Sequence, residues 1–308
     1  MVKKGCTKEI STMQMRMTKG EKIFNVFNLI FLGILGLSML YPFIFSLNLS
    51  ISDAAGANSG GFFLWPKGFS LAAYEKIFSD PMLVTGYLNT IFRTVVGVVL
   101  TVCCTALCAY PLSRPNMPYR KKAMFFVLFT MLFGGGLVPN YLLYNSLGLI
   151  NNRLIYIIPG LIAAFNVILV RNYFTSISES LHEAAAIDGA SEWFIFTRIY
   201  FPLSKPILAT VAMFTAITHW NSWFDSMLYM TDETKMVVQT FLQRIVIEGN
   251  LAVGGDAGML AQNTDFTEMT PETIKAATVV VTVIPMMILY PFVQKFFTKG
   301  IMIGGVKE

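Results

Sequence analysis

Charge is what this chain has least of: Asp, Glu, Lys and Arg supply 13% of its 308 residues, where an ordinary soluble domain carries about 25%. Histidine occurs only twice, as His182 and His219, and neither sits in a His-Glu-x-x-His pattern. No Gly-x-Ser-x-Gly is present either, so the familiar hydrolytic constellations are missing. The glycine-rich pieces Gly134-Gly135-Gly136 and Gly254-Gly255-Asp256-Ala257-Gly258 lack the Lys-Ser/Thr that cradles nucleotide phosphates. This chain therefore does not hydrolyse ATP by itself. Of four cysteines, Cys103, Cys104 and Cys108 fall inside an apolar run with no histidine or carboxylate beside them. They read as small hydrophobes rather than a zinc or redox site, although Cys104 and Cys108 share a helix face. Cys6 is a lone thiol in a basic tail expected to be mobile.

What is abundant is apolar: 55% of the residues are hydrophobic. A membrane span needs about 20 predominantly apolar residues, and six segments approach or exceed that length, at 23–47, 83–112, 123–150, 154–170, 206–228 and 276–293. Arg93 interrupts the second, and Asp225 stands at the end of the fifth. The expectation is an all-α membrane protein with six transmembrane helices, preceded by a basic tail over residues 1–22. The third segment is longer than a span requires, so Gly134-Gly135-Gly136 and Pro139 are expected to bend it or open a re-entrant stretch. The first apolar run is too long for the 7–15-residue core of a cleaved signal. It reads as an uncleaved first span.

Lys and Arg gather on the cytoplasmic side of short loops. Here they crowd the N-terminal tail, the segment Arg114–Lys122, the loop holding Arg171, Arg198 and Lys205, and the stretch from Lys295 onward. Both termini and the loop 175–205 are thus expected in the cytoplasm of a multi-pass protein of the plasma membrane. The net charge of +5 follows from the same bias and gives no reason to invoke nucleic acid. Between the first two spans, 52–61 reads as a flexible stretch. Ser70 is placed to cap a short helix through Tyr74 and Phe78, and Thr270-Pro271 to open a helix approaching the sixth span.

The polar loop is the most informative segment. Ser180 and Glu183 have the form of a capping box, so a short helix is expected to begin near 178–180. Its small face, Ala184 to Ala186, allows close approach of another surface. Gly189 suits a left-handed helix end. Ser191 can cap a second short helix carrying Trp193, Phe194, Phe196 and Ile199, which Pro202 and Pro206 are expected to terminate. Two short helices joined at a bend make a docking knob; the bland alternative is an amphipathic hairpin on the lipid headgroups.

The spacing Glu183-Ala184-Ala185, Gly189, Ile199, Pro202 resembles the EAA loop by which permeases of ABC importers engage their ATPases, with Phe201 where that family usually has Leu. The resemblance extends over nearly the whole chain to the carbohydrate branch, which includes the second maltose-transporter permease. It is carried by Tyr87-Leu88-Asn89-Thr90, Ala109 to Arg114, Asn140-Tyr141 through Leu149, Ile187 to Ser191, Trp220-Asn221 and Lys299 to Lys307. Phe92-Arg93-Thr94 and the long last outer loop look more like the permeases for polysaccharide fragments. The resemblance implies a type I importer fold with cytoplasmic coupling helices, in which Glu183, Ala184, Ala185, Asp188, Gly189, Trp193, Phe194, Ile199 and Pro202 couple to the ATPase. It further implies a second, different permease as heterodimer partner, two ATPase subunits that bind the ATP and Mg²⁺, and an extracytoplasmic solute-binding protein delivering an oligosaccharide. No cofactor or metal is expected in this chain.

For the sugar pathway the fifth span offers His219, Trp220, Asn221, Trp223 and Asp225. Aromatic rings and amide or carboxylate groups match the apolar faces and hydroxyl rims of sugars. The competing reading makes the tryptophans an interfacial belt and lets the polar groups bond across helices. Arg93 has the same two readings, with a structural partner for its charge favoured. An ion-coupled carrier would need acidic or histidine groups in the bundle, and only His219 and Asp225 are at hand. A membrane-embedded enzyme finds no catalytic set, and a peptide importer would share the docking loop.

Overall fold

The computed structural model describes residues 18–62, 64–254 and 269–305, and only the backbone over 248–254 and 289–305. The basic tail up to residue 17, the glycine- and alanine-rich stretch from Gly255 to Gln262 and the terminal Val306-Lys307 lie outside the described residues. Among the described residues the chain is helical, and its only β pairing is an isolated antiparallel bridge between Ser52 and Phe69.

Helix α1, Lys19–Ser50, starts at a capping box in which the Thr18 hydroxyl accepts from the Glu21 N–H while the Glu21 carboxylate accepts from the Thr18 N–H. Its large apolar side chains from Ile23 to Leu40 are exposed, and only Asn48, Leu49 and Ser50 are buried. So much apolar surface is stable in lipid or against another protein, not in water. The following segment is more ordered than its glycines and alanines suggest. Asp53 caps a short α2, Ala54–Asn58, by accepting from the Gly56 N–H at 2.6 Å. Helix α3, Ala72–Phe78, starts one residue later than a Ser70 cap would set, although the Ser70 hydroxyl accepts from the Ala72 N–H.

Helix α4, Pro81–Ser113, has Asp80 as its N-cap and proline in its first turn. At 33 residues it is about 50 Å long. The third apolar segment divides into α5, Arg120–Leu132, and α6, Leu137–Ser146, set 113° apart. Gly136 at the joint has φ +85°, which a side-chain-bearing residue rarely adopts. The fourth segment is not one helix. Two short 3₁₀ turns, Arg153–Tyr156 and Ile158–Gly160, precede α7, Ala164–Ser176, which continues past Arg171. Pro159 lies in the second of these turns, before the break at 161–163, and its missing N–H leaves the Ile155 carbonyl without an α-helical donor.

The loop then forms α8, Glu179–Ile187, and α9, Glu192–Ile195, followed by a π turn, Phe196–Tyr200, and α10, Phe201–Leu203. Helix α11, Lys205–Asn221, leaves the α9–α10 unit at 76°, and α12, Phe224–Tyr229, follows a break at Ser222-Trp223. Helices α13, Val238–Gly254, and α14, Pro271–Gly305, complete the described chain. The Thr270 hydroxyl accepts from the Thr273 N–H at the start of α14, which runs on without a separate approach helix.

Among the described residues, three helices, α1, α4 and Pro271–Ile288 of α14, are long and apolar enough to cross a membrane; three bent pairs meet the same test jointly. The pairs are α5 with α6, the 3₁₀ turns with α7, and the α9–α10 unit with α11. The bundle core has two ends. At one, α4, α7, α11 and the loop pack Ala106, Tyr110, Val170, Phe174, Phe196, Tyr200 and Val211 together. At the other, α3, α4, α13 and α14 meet around Ile77, Leu83, Val238, Phe241 and Val281.

Candidate functional site: the bent loop and the α11–α12 break

Helix α8 begins at Ser178, not through a Ser180–Glu183 box. Ser178 is the N-cap without a side-chain cap bond, and its hydroxyl lies 2.7 Å from that of Ser180. Ser180 and Glu183 are both inside the helix, so Glu183 is left exposed. The C-terminal end is a Schellman closure: Ala190 N–H donates to the Ala185 carbonyl and Gly189 N–H to that of Ala186, both at 3.0 Å. Gly189, at φ +77°, supplies the left-handed residue this closure requires. Ser191 then caps α9, accepting from the Phe194 N–H at 3.3 Å.

Pro202 and Pro206 do different work from stopping a helix. Pro202 cannot donate to the carbonyl four residues back, and the chain widens just before it into the π turn, where Phe201 N–H reaches the Phe196 carbonyl. The helical path thus continues through Pro202 to Leu203 and bends at Ser204. Pro206 lies in the first turn of α11 and opens that helix.

The loop has two unlike faces. Ile195, Phe196 and Tyr200 are buried in the core, with Ala185, Ala190, Ile199 and Phe201 packed beside them. Outward stand Leu181, Ile187, Trp193, Phe194 and Leu203, with Ile187 85% and Trp193 64% exposed. Glu183, Ala184, Asp188, Gly189 and Pro202 share this open side. Of the nine coupling residues expected from sequence, seven are therefore exposed, while Ala185 and Ile199 are partly buried against the bundle.

Polar contacts that sequence reading missed bind the inner face to the end of α4. The Tyr110 hydroxyl donates to Glu192 Oε2 at 2.6 Å, and His182 Nε2 lies 3.0 Å from Glu192 Oε1. Arg114 donates to the Tyr200 hydroxyl at 2.6 Å and lies 3.6 Å from Glu179. The Tyr110 hydrogen bond holds the Glu192 carboxyl below the usual carboxylate range; partial burial opposes this, while His182 and Arg114 add to it. Glu192 is thus ionised at neutral pH. Burial raises the Tyr200 phenol, so Arg114 meets a neutral hydroxyl. No helix-face spacing signals this pair, because Arg114 follows the last residue of α4 with an extended backbone.

At the opposite end of α4, Arg93 is 2% exposed. Its guanidinium makes a forked contact with Asp225, Nη1 to Oδ1 at 3.2 Å and Nη2 to Oδ2 at 2.5 Å, and donates to the Ser222 carbonyl. It also lies 4.6 Å from the centre of the Tyr156 ring. Asp225 accepts further bonds from the Ser222 hydroxyl and the Ser226 N–H. The only charged side chains of the second and fifth segments therefore face each other, across the break between α11 and α12.

The remaining candidates divide by exposure. His219 is buried with its ring against Gly97, where an added Cβ would fall 2.5 Å from Nε2. Trp220 is buried, donates to the Thr282 carbonyl at 3.4 Å and leans on Tyr87. Asn221 is exposed, its amide donating to the Ile217 carbonyl, and Trp223 is half-buried. Among the described residues no group of three or more His, Cys, Asp or Glu could hold a metal ion.

An all-helical bundle with an exposed apolar sheath and a rigid loop offered outward is the build of a membrane permease subunit. The chain belongs to the family of binding-protein-dependent transport system inner membrane components, whose model matches residues 81–303. It is 39% identical to protein LplC of Bacillus subtilis (strain 168), covering 97% of this chain and 99% of that one. It is 38% identical to the polygalacturonan/rhamnogalacturonan transport system permease protein YtcP of the same organism, over 93% and 99% of the two chains. A crystal structure of a bacterial ABC transporter involved in import of the acidic polysaccharide alginate contains a chain of the same fold, with TM-score 0.83 and 38% identity over 91% of this chain and 99% of that one.

Proposed function

We propose that the chain is the permease subunit of an ATP-driven importer that carries an oligosaccharide inward by alternating access. The observation that carries this reading is the two-faced loop, locked to the bundle on its inner side and presenting Ile187, Trp193 and Phe194 on its outer side. Exposed aromatic and aliphatic groups beside Glu183 and Asp188 suit a protein partner better than water. The partner in this reading is an ATPase. Two such subunits hold the ATP and Mg²⁺, and this chain is non-catalytic and needs no cofactor. Their closure draws this loop toward that of a second permease and re-gates the helices. An extracytoplasmic binding protein brings the sugar to the other face, and the distribution of Lys and Arg sets the loop and both termini in the cytoplasm.

The choice of an oligosaccharide rests on the relatives, one described by polygalacturonan/rhamnogalacturonan transport and another by import of the acidic polysaccharide alginate. Asn221 and Trp223 are the pathway candidates that keep open surface. Arg93, His219 and Trp220 support that surface from behind in this reading. Asp225 is half-buried at the break, with both carboxylate oxygens taken up by Arg93, Ser222 and Ser226.

Purified in mild detergent from its native membrane, the chain is expected to bring with it an ATPase and a second permease. Glu183→Lys should insert normally but lose both the ATPase and uptake. Recovery of the chain alone, with uptake surviving ATP depletion, would overturn the proposal.

A further inference from the structure

We infer that Tyr110, Arg114, Glu192 and Tyr200 form a latch that makes α4 the receiving element for motion of the loop. The inference rests on the reading of the loop as an ATPase contact. Its basis is geometric. Each of the two short loop helices is tied to the end of α4 by a charged or hydroxyl group: α8 through Glu179 to Arg114, and α9 through Glu192 to Tyr110. His182 joins the two helices by meeting the same Glu192 carboxylate. The π turn after α9 is held by Tyr200, whose hydroxyl accepts from Arg114 and whose ring packs edge-on against Tyr110 and Phe174. The loop can therefore move only by carrying the end of α4 with it or by breaking these bonds.

The latch is also placed to respond to docking. Tyr110 is buried, but the Glu192 side chain is 66% exposed and lies between the exposed Ser191 and Trp193. Water competes for the carboxylate in the isolated chain. A partner covering Trp193 would shield it and strengthen both of its hydrogen bonds, so docking and stiffening become one event. Tyr110, Arg114, Glu192 and Tyr200 are positioning residues: they touch neither substrate nor nucleotide.

The test uses the complete importer in proteoliposomes with its binding protein, reading sugar transported per ATP hydrolysed. Tyr110→Phe removes the hydroxyl and keeps the ring in its aromatic cluster, and Glu192→Gln removes the charge. Each is expected to leave assembly with the ATPase intact while transport per ATP falls about three- to tenfold, the range for a partly exposed hydrogen bond to a charged group. The double variant should be no worse than either single one, and Glu192→Asp should recover part of the loss. Wild-type stoichiometry in both single variants, additive losses in the double variant, or loss of assembled complex at unchanged stoichiometry would each overturn the latch. If the wild-type complex itself shows no ATP-dependent uptake, the importer reading fails instead.

Discussion

Gly189 shows how little a single residue needs to contribute to decide the shape of the loop. It stands at φ +77°, and a Cβ there would meet nothing within 4 Å. The requirement is one of backbone conformation, not of space within this chain. An ordinary side chain in the left-handed region costs about 1–2 kcal/mol, and Asn tolerates it better than most. Gly189→Asn is therefore expected to keep the Schellman closure and retain more uptake than Gly189→Val, whose branched Cβ is least suited to this conformation. Equal loss in the two variants, measured as uptake at matched membrane levels, would show that an outside surface, not the backbone, excludes a side chain. This glycine and the Ser191 cap were legible in the sequence because both obey local rules of helix termini. The Ser180 box was misread because α8 starts two residues earlier, at a Ser178 N-cap that makes no side-chain cap bond, and a local pattern does not show which of two nearby serines ends outside the helix.

At the scale of elements, the α4–α11 contact depends on a missing side chain. Gly97 faces the ring of His219, and an added Cβ would lie 2.5 Å from Nε2 and 2.8 Å from Cδ2. His219 is buried, so its ring has little room to withdraw. Gly97→Ala is expected to lower the thermal stability of the detergent-solubilised protein by about 1–3 kcal/mol, the usual cost of overpacking. His219→Ala should relieve that strain when combined with it. A double variant no more stable than Gly97→Ala alone would count against the contact. The length of apolar runs found the segments but not this pairing, since a glycine in a span gives no sign of what it faces. The same limit hid the broken fourth segment, where hydropathy reports depth in the membrane and is blind to the hydrogen bond that Pro159 cannot make. The bend within the third segment was legible because three consecutive glycines mark it.

Across the whole molecule, α4 is an element that meets both candidate regions: Tyr110 near one end holds the loop, and Arg93 toward the other holds the α11–α12 break beside Asn221 and Trp223. The Arg93–Asp225 pair spans 132 positions of sequence, so no local pattern could reveal it. The sequence showed only that each charge in an apolar segment needs a partner. In a low-dielectric interior, removing one member strands the other, at a cost of about 3–5 kcal/mol, whereas replacing both with apolar groups of similar size is often neutral. Arg93→Met alone and Asp225→Leu alone are each expected to lower the melting temperature sharply, and Arg93→Met with Asp225→Leu to recover most of it. If the pair only stabilises the bundle, uptake should return together with stability in the double variant. If its fork sets the angle of the break beside the proposed sugar pathway, the double variant should be stable yet transport poorly, because packed methyl groups lack the directional grip of two parallel hydrogen bonds. The second outcome is the one expected, since Asp225 also binds the Ser222 hydroxyl within the break and the Ser226 N–H in α12 beyond it.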